Sequence, residues 1–507
     1  MAKGDVPVLV GVGQVVSHWD GTGNVADAPS PLSLAVAAAK AAIADVDLAL
    51  SGALAGAIDT LAVNRCWDDS IPKPNYPAGR NSNLPGTIAR DLGLNPARSI
   101  YWEVGGHAPQ EMVNEIAASV HSGDVDCALL VGSEATGATK TARRAGLTLD
   151  WTDDDPREVE NRWSDDRLLN RTEIKHGLVV PPYFYALIES AIAAREGRGR
   201  AAHRRTMAEL FAPFSEVAAA NPYAQYPKAL GVDEIATETA RNFMIADPFL
   251  RNMIAQDNVN QGAAIIMMSD TKADAIGIAQ SQRIYLYGGA TAKEGDLSYR
   301  QRLDSSRAMQ TVLPGALHQA SLAATDISVF DLYSCFPCAV TCADDALGGA
   351  ATASGQPLTV TGGLPYFGGP GNNYSLHAIA SMVERLRKRP GAIGLVLANG
   401  GWMHKEAAGI YGAARPREFT PPNPVTPLPD MVKIDPDPSS GIVEGWTIVR
   451  GRDGSPVGIV SCRTESGARF FANPDEGGLA ILREDASPIG RTVSTLREGE
   501  VNTARFV

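Results

Sequence analysis

Two kinds of apolar pattern alternate along the first third of the chain. PVLVGVGQV (7–15) is a short apolar run of the kind found in a strand buried on both faces, and PLSLAVAAAKAAIADV (31–46) reads as an alanine-rich helix. IDTLAVNRC (58–66) and SIYWEV (99–104) are strand-like, PQEMVNEIAASVHSG (109–123) is helical, and DCALLVGSEA (126–135) is again a strand. Strands alternating with helices of this length predict a mainly parallel sheet covered on both faces.

From about 140 to 245 the pattern breaks. DWTDDDPREVENRWSDD is acidic and aperiodic, AREGRGRAAHRR is arginine-rich, and the helical pieces YFYALIESAIAA and MAELFAPFSEVAAA come with little strand. The stretch reads as an inserted loop domain, after which NVNQGAAIIMMS returns to a buried strand. The order helix, aspartate, strand then recurs in GALHQASLAATDISVFDLYSC (315–335), and IGLVLANGGWMH (393–404) echoes DCALLVGSEATG (126–137). Two α/β halves of similar order predict a duplicated fold, here 1–275 (with the insertion) and 276–418. Beyond the proline-rich PPNPVTPLPD, the segments GWTIVR, PVGIVSCR, ARFFAN, LAILRE and RTVSTL, joined by Asp-Gly and Ser-Gly turns, predict a small antiparallel β-barrel over 419–507.

Composition narrows the function. A formal charge of −12 argues against nucleic acid or an anionic membrane as main partner. Six cysteines among 507 residues make no disulfide framework and suit a reduced, cytoplasmic setting. The start of the chain reads as a strand rather than a signal peptide, and no apolar run is long enough for a membrane span.

The most unusual local stretch is TGGLPYFGGPGNNYSLHAIA (361–380). Leu376, Ile379, Val383 and Leu386 keep helical spacing, so a helix begins near Asn373 and ends in a basic turn before Pro390-Gly391. The loop ahead of it holds glycines and asparagines but no acid, base or thiol. Exposed N–H groups there would suit a carbonyl or a developing oxyanion.

With its duplicated halves, inserted domain and this loop, the chain resembles the thiolase superfamily, in particular the sterol-carrier-protein-linked thiolases, over roughly 5–415. The resemblance implies a five-layer α/β fold, here with an added barrel of the oligonucleotide/oligosaccharide-binding type. It also implies acyl-CoA C-acyltransferase chemistry of the acetyl-CoA acetyltransferase kind, within lipid metabolism, and four catalytic elements. The nucleophilic cysteine position falls on Gly106 in EVGGHAPQ, with Gly105 and His107 beside it. The Asn-Glu-Ala-Phe or His-Asp-Cys-Phe box is Tyr333-Ser334-Cys335-Phe336. The Gly-His-Pro histidine aligns with Gly369 in Gly368-Gly369-Pro370. The second cysteine falls at Leu397 or Ala398, before Gly400-Gly401. The glycines that shape the loops are kept and the catalytic groups are replaced. Ping-pong transfer needs a thiolate and its base, so ordinary thiolysis is not expected.

The candidate catalytic groups are therefore Tyr333, a phenol that serves as acid or base if its pKa is lowered, with His107, His377 and Tyr374. Gly105, Gly106, Gly368, Gly369, Asn372, Asn373, Gly400 and Gly401 are the candidate substrate-binding residues. Arg195, Arg198, Arg200, Arg204 and Arg205 are candidate contacts for coenzyme A phosphates. Cys335, Cys338 and Cys342 read as packed core thiols, no metal site is expected, and Asp153–Asp155 reads as a solvated loop.

Three functions compete: an acyl-CoA C-acyltransferase, a lyase cleaving a β-hydroxyacyl-CoA by retro-aldol chemistry, and a coenzyme A thioester-binding protein without turnover. Relatives that act as lyases use tyrosines and a partner carrying a small barrel, a part the fused barrel here would play. Acyl-CoA is the expected ligand, with no covalently bound cofactor. Thiolases pair through the strand before the nucleophile, here SIYWEV with Glu103; monomer and homodimer both remain open.

Overall fold

The computed structural model describes residues 5–73, 75–163, 169–451, 453–484 and 486–507. Residues 1–4, Ser164–Asp166 of the acidic stretch and Arg452 of the GRDGS turn lie outside them.

The first half contributes strands β1 (Pro7–Val16), β2 (Thr60–Val63), β3 (Arg98–Tyr101), β4 (Cys127–Glu134) and β5 (Gln261–Ser269). Their order across the sheet is β3-β2-β4-β5-β1. The pairs β2–β3 and β2–β4 are parallel, while β4–β5 and β5–β1 are antiparallel. The sheet is thus mixed, correcting the mainly parallel expectation: fully buried parallel and antiparallel strands present the same unbroken apolar run. Helices α1 (Pro31–Ala44) and α2 (Leu84–Leu92) pack on its outer face, each with an Asx or Ser cap and a proline in the first turn. Helix α3 (Ala108–Ser122) covers the inner face.

The insertion carries helices α4 (Pro181–Arg195) and α5 (Arg200–Ala219). It is not wholly without strand. Glu160-Asn161 pairs with Ile100-Tyr101 on the outer edge of β3, helped by the ion pair Arg98–Glu160. The acidic run is anchored too: Asp153 binds Arg90 at 2.7 Å and Asp155 is buried, so it is not the freely solvated loop expected.

The second half repeats the first. Strands β6 (Ile284–Lys293), β7 (Val329–Leu332), β8 (Ile393–Gly400) and β9 (Lys405–Gly412) take the order β7-β8-β9-β6, with β7–β8 parallel and the other pairs antiparallel. The place of a third strand falls to residues around Leu358, whose carbonyl accepts from the Leu332 N–H at 2.9 Å. Helix α6 (Arg307–Ala320) lies on the outer face of this sheet, and α7 (Pro337–Ala346) follows β7. The sheets of the two halves meet where Val8-Leu9 of β1 pairs with Ile284-Tyr285 of β6, and helix α8 (Tyr374–Arg387) joins α3 between them and touches both, which gives five layers, helix–sheet–helix–sheet–helix.

The C-terminal segment closes a five-stranded barrel from β10 (Ser440–Arg450), β11 (Pro456–Arg463), β12 (Arg469–Pro474), β13 (Thr492–Glu498) and β14 (Val501–Phe506). Two details differ from the sequence reading. LAILRE is not a strand: Asp475 caps helix α9 (Glu476–Leu482), which includes most of it. The β12–β14 pairing is parallel, which that helical crossover permits. Val443, Trp446, Val460 and Phe470 fill the barrel. Insertion and barrel are joined by Met244–Ala246, which pairs with β10, and by the Trp446 N–H donating to Ser190 Oγ at 2.9 Å. Among the described residues no helix is long and apolar enough to cross a membrane.

Candidate active site at Gly106 and Tyr333

Three connections meet where the central helices begin. Gly105-Gly106-His107 links β3 to α3, Tyr333–Phe336 links β7 to α7, and Gly400–His404 forms the β8–β9 turn. Gly105 has φ +147°, closed to residues with a side chain, and the His107 imidazole lies where its Cβ would be. A Cβ on Gly106 would fall against the Tyr333 hydroxyl, 2.5 Å from the Asn399 carbonyl oxygen and 3.0 Å from Tyr333 Cζ. The Gly106 carbonyl accepts from Ser375 Oγ at 3.0 Å, fixing the loop to α8. A cysteine at position 106 therefore has no room between Tyr333 and the Asn399 carbonyl.

Tyr333 is 5% exposed, and among the described residues its hydroxyl has no hydrogen-bond partner. Burial pushes its pKa well above the usual phenol range, and the nearby Cys335 and Glu406 add to the rise. The lowered pKa that would make it a base is absent: at neutral pH Tyr333 is a phenol and a hydrogen-bond donor. Tyr374 also carries a raised pKa, from burial first and Asp331 second. Its hydroxyl is already engaged, 2.5 Å from Thr361 Oγ1 and 3.1 Å from Asp331 Oδ1. Its ring meets Tyr333 edge to face at 5.3 Å, a supporting contact.

Sequence reasoning missed two neighbours. Tyr185 of α4 accepts from Asn399 Nδ2 at 3.0 Å and donates to the Gly401 carbonyl at 3.1 Å, so the insertion supplies part of the wall. Glu406, opposite Asn399 in the β8–β9 ladder, is fully buried with no hydrogen-bond partner for either carboxyl oxygen. Burial first, and Glu294 beside it, push its pKa well above the usual carboxylate range, while the Arg300 charge pulls the other way. A lone acid within the apolar run KEAAGIYG is the signal that marks it; Tyr185 has none. Cys335 is held up to about 12 by burial and receives Asn399 Nδ2 at 3.5 Å. Cys338 and Cys342 are buried and free.

His107 sits at the start of α3 with neither ring nitrogen hydrogen-bonded. Its Nε2 lies 3.2 Å from Glu111 Oε2 and 3.7 Å from Glu103 Oε1. These three side chains are close enough to share a divalent ion. The Lys293 ammonium, however, is already paired with Glu103 and supplies the positive charge. His377 stands elsewhere. It is neutral, lowered to about 3 by burial, and its Nδ1–H donates to Gln14 Oε1 at 2.9 Å.

The glycine and asparagine loop is packed against protein. The Gly369 N–H donates to Gln256 O at 2.8 Å, Gly371 N–H to Gly369 O at 2.8 Å, and Asn373 N–H to Pro370 O at 2.7 Å. Asn372 Nδ2 reaches Arg65 O at 2.8 Å and Ser70 Oγ at 3.1 Å. A Cβ on Gly368 would lie 2.7 Å from Gln261 Oε1. The insertion covers the loop through Gln225, whose N–H donates to Phe367 O at 2.7 Å. The N–H donors expected to be free for a ligand are thus largely used within the chain. Of the candidate arginines, Arg200 and Arg204 hold buried Asp247, Arg205 holds Asp233, and Arg198 holds Glu196. Arg195 holds Glu196 and Asp345 and borders a cavity at the end of α4.

A cavity of about 770 Å³ opens at the carboxyl ends of β2 and β4, bordered by Cys66, Tyr76, Arg80, Lys140, Arg143 and Trp151. It does not include Tyr333 or Gly106.

Among solved structures the chain is similar over the full length of both proteins to a monomeric SCP2-thiolase-like protein type 1 from Mycobacterium smegmatis, with 35% identity and a TM-score of 0.81. It shares the fold of an Ltp2–ChsH2(DUF35) aldolase, at 18% identity and TM-score 0.59, over 81% of this chain and 98% of the other. It also shares that of an acetyl-CoA acetyltransferase from Syntrophomonas wolfei, at 18% identity and TM-score 0.55, over 82% of this chain and all of the other. No family model matches the chain, and no curated protein does. With that full-length identity and a duplicated five-layer fold, the chain belongs to the thiolase superfamily, among its SCP2-thiolase-like members.

Proposed function

We propose that the protein acts on coenzyme A thioesters by carbon–carbon cleavage through an enolate, without a covalent acyl-enzyme. The observation that carries this reading is the Tyr333 hydroxyl occupying the space a side chain on Gly106 would need. Acyl transfer through a thiolate has no place to form there, whereas a buried neutral phenol suits hydrogen-bond donation to a developing oxyanion.

In the retro-aldol direction the substrate is a β-hydroxyacyl-CoA. Its hydroxyl proton passes to a base, for which we assign His107. The Cα–Cβ bond breaks, the β-carbon leaves as a ketone or aldehyde, and the electron pair moves into the thioester enolate. Tyr333 donates to the enolate oxygen, and protonation at Cα completes the shorter acyl-CoA. Incubation with a β-hydroxyacyl-CoA and no added coenzyme A tests the assignment. Release of the carbonyl product supports it; acetyl-CoA formed only from a 3-ketoacyl-CoA plus coenzyme A would replace it with acyl transfer.

The glycine at 106 in place of a thiol, and a Tyr333 whose raised pKa removes it as a base, favour a second reading, thioester binding without turnover. Exchange of α-protons of acetyl-CoA for deuterium separates the two, since a retired site exchanges none. For assembly, the outer edge of β3 is covered by the chain's own Glu160-Asn161, which supports a monomer.

A further inference from the structure

Away from Gly106, a cavity of about 430 Å³ lies between the end of α4, the start of α6 and α7. Arg195, Arg300, Arg302 and Arg307 border it, together with the carboxylates of Glu196, Glu294 and Asp345. Its size is within the range of small-molecule sites, roughly 300–1,000 Å³.

Arg300 sets it apart from an ordinary surface cluster. Its side chain is 1% exposed, and its Nη2 donates to the Trp402 carbonyl. Its Nε and Nη1 have no hydrogen-bond partner. The nearest carboxylate, Glu294, is 3.7 Å away and is already engaged by Ser306 Oγ at 3.0 Å and the Ala308 N–H at 3.3 Å. Glu406 is near enough to feel the Arg300 charge, yet neither of its carboxyl oxygens has a hydrogen-bond partner, so it does not complete the pair. A buried guanidinium with unmatched donors is costly unless an anion or polar group meets it. The flat donor array of arginine matches two oxygens of one phosphate.

We propose that this cavity binds the phosphate groups of an organic phosphate, with Arg300 as the fixed donor and Arg302 and Arg307 at its rim. Arg302 is 62% exposed and paired only with Asp304 among the described carboxylates, so it can turn toward a ligand. Two sources carry this chemistry. One is the phosphorylated end of a coenzyme A thioester, in which case the site rests on the function proposed above. The other is a free nucleotide, independent of that function. Through Trp402, Arg300 also touches the turn whose Gly401 carbonyl holds Tyr185, so occupancy bears on the wall beside Tyr333.

Calorimetric titration of the full-length protein with inorganic pyrophosphate tests the site. Saturable binding that weakens with salt is expected, together with a loss of about tenfold or more in the double variant Arg302→Gln/Arg307→Gln at unchanged melting temperature. No binding at millimolar pyrophosphate, or equal affinity in the double variant, would overturn the proposal. Arg300→Met should abolish binding; if that variant does not fold, the rim variant still decides. Displacement of pyrophosphate by coenzyme A assigns the coenzyme as source, and coenzyme A binding without displacement assigns a separate organic phosphate; the site stands in both cases. Pyrophosphate binding with no coenzyme A binding at all would leave the phosphate site in place and sink the thioester function.

Discussion

At Gly368–Gly371 the absence of side chains lets the loop press on the Gln261 amide, the Gln256 carbonyl and the Glu134 carboxyl, and its N–H groups bond within the chain. At Gly105-Gly106 and Gly400-Gly401 the same absence leaves room that His107, Tyr333 and His404 fill with polar side-chain atoms. Both stretches look alike as sequence. The difference is what meets the glycines: an amide, a carbonyl and a carboxyl under a covering insertion in one case, a phenol and imidazoles in the other. Glycine content therefore marks close approach, and the approaching group determines whether chemistry follows.

The sharpest way to break this comparison is Tyr333→Phe. Removing a single donor to a developing oxyanion costs on the order of 10²–10³ in turnover. Because the hydroxyl has no partner among the described residues, the melting temperature should not move. Full activity in the phenylalanine variant would remove Tyr333 from the mechanism.

The packed loop has its own test in Glu134, which accepts the Trp67 N–H at 2.8 Å beside Gly371 and is raised by burial to about 8. A carboxyl whose folded pKa exceeds its unfolded value of 4.5 contributes stability that is whole below pH 4.5. That contribution declines as pH rises and is gone above about 8. At about 1.4 kcal/mol per unit, the loss amounts to a few kcal/mol. Thermal melts at pH 5 and pH 8.5 should show it in the wild type and not in Glu134→Gln; parallel curves would refute the assignment. His377, lowered to about 3, acts in the opposite direction, its contribution being whole above 6.5 and lost as pH falls.

Gly106→Ala sharpens the other side. Forcing a methyl against Tyr333 and the Asn399 carbonyl should cost about 1–3 kcal/mol. Part of that cost should disappear when Tyr333→Phe removes the hydroxyl, a non-additivity that a double-mutant cycle measures. Strict additivity would mean that the two residues do not compete for one space.

The smallest effect is expected at Arg98→Ala. Its ion pair with Glu160 has side chains 40% and 42% exposed, so the loss should stay below about 1 kcal/mol. Sedimentation should still find a monomer, because the backbone pairing at Ile100-Tyr101 covers the edge without it. Dimer formation in this variant would show the ion pair to be the guard.

Much of the architecture was legible because burial imposes periodicity. Apolar runs located β1, β4, β5 and β8, and the 376–386 spacing located α8. LAILRE misled because a single Asp cap after Pro474 outweighs a short apolar run. At the site, Tyr333 and Gly106 were readable from the motif that frames them. Tyr185 was not, since its role depends on α4 folding back over the second half, 214 residues from Asn399. The direction of the Tyr333 pKa was not readable either, because desolvation depends on everything packed around a group and not on its neighbours in sequence.

By itself, the order of apolar runs determined the duplicated halves, the inserted domain and the added barrel, since each local pattern admits few ways to bury its apolar face. Only the tertiary structure decided which groups meet each glycine, that burial raises the pKa of Glu406 and Tyr333, and that Arg300 lacks a full complement of partners. Those properties arise where distant segments exclude water together, and no local pattern records how much water a neighbour removes.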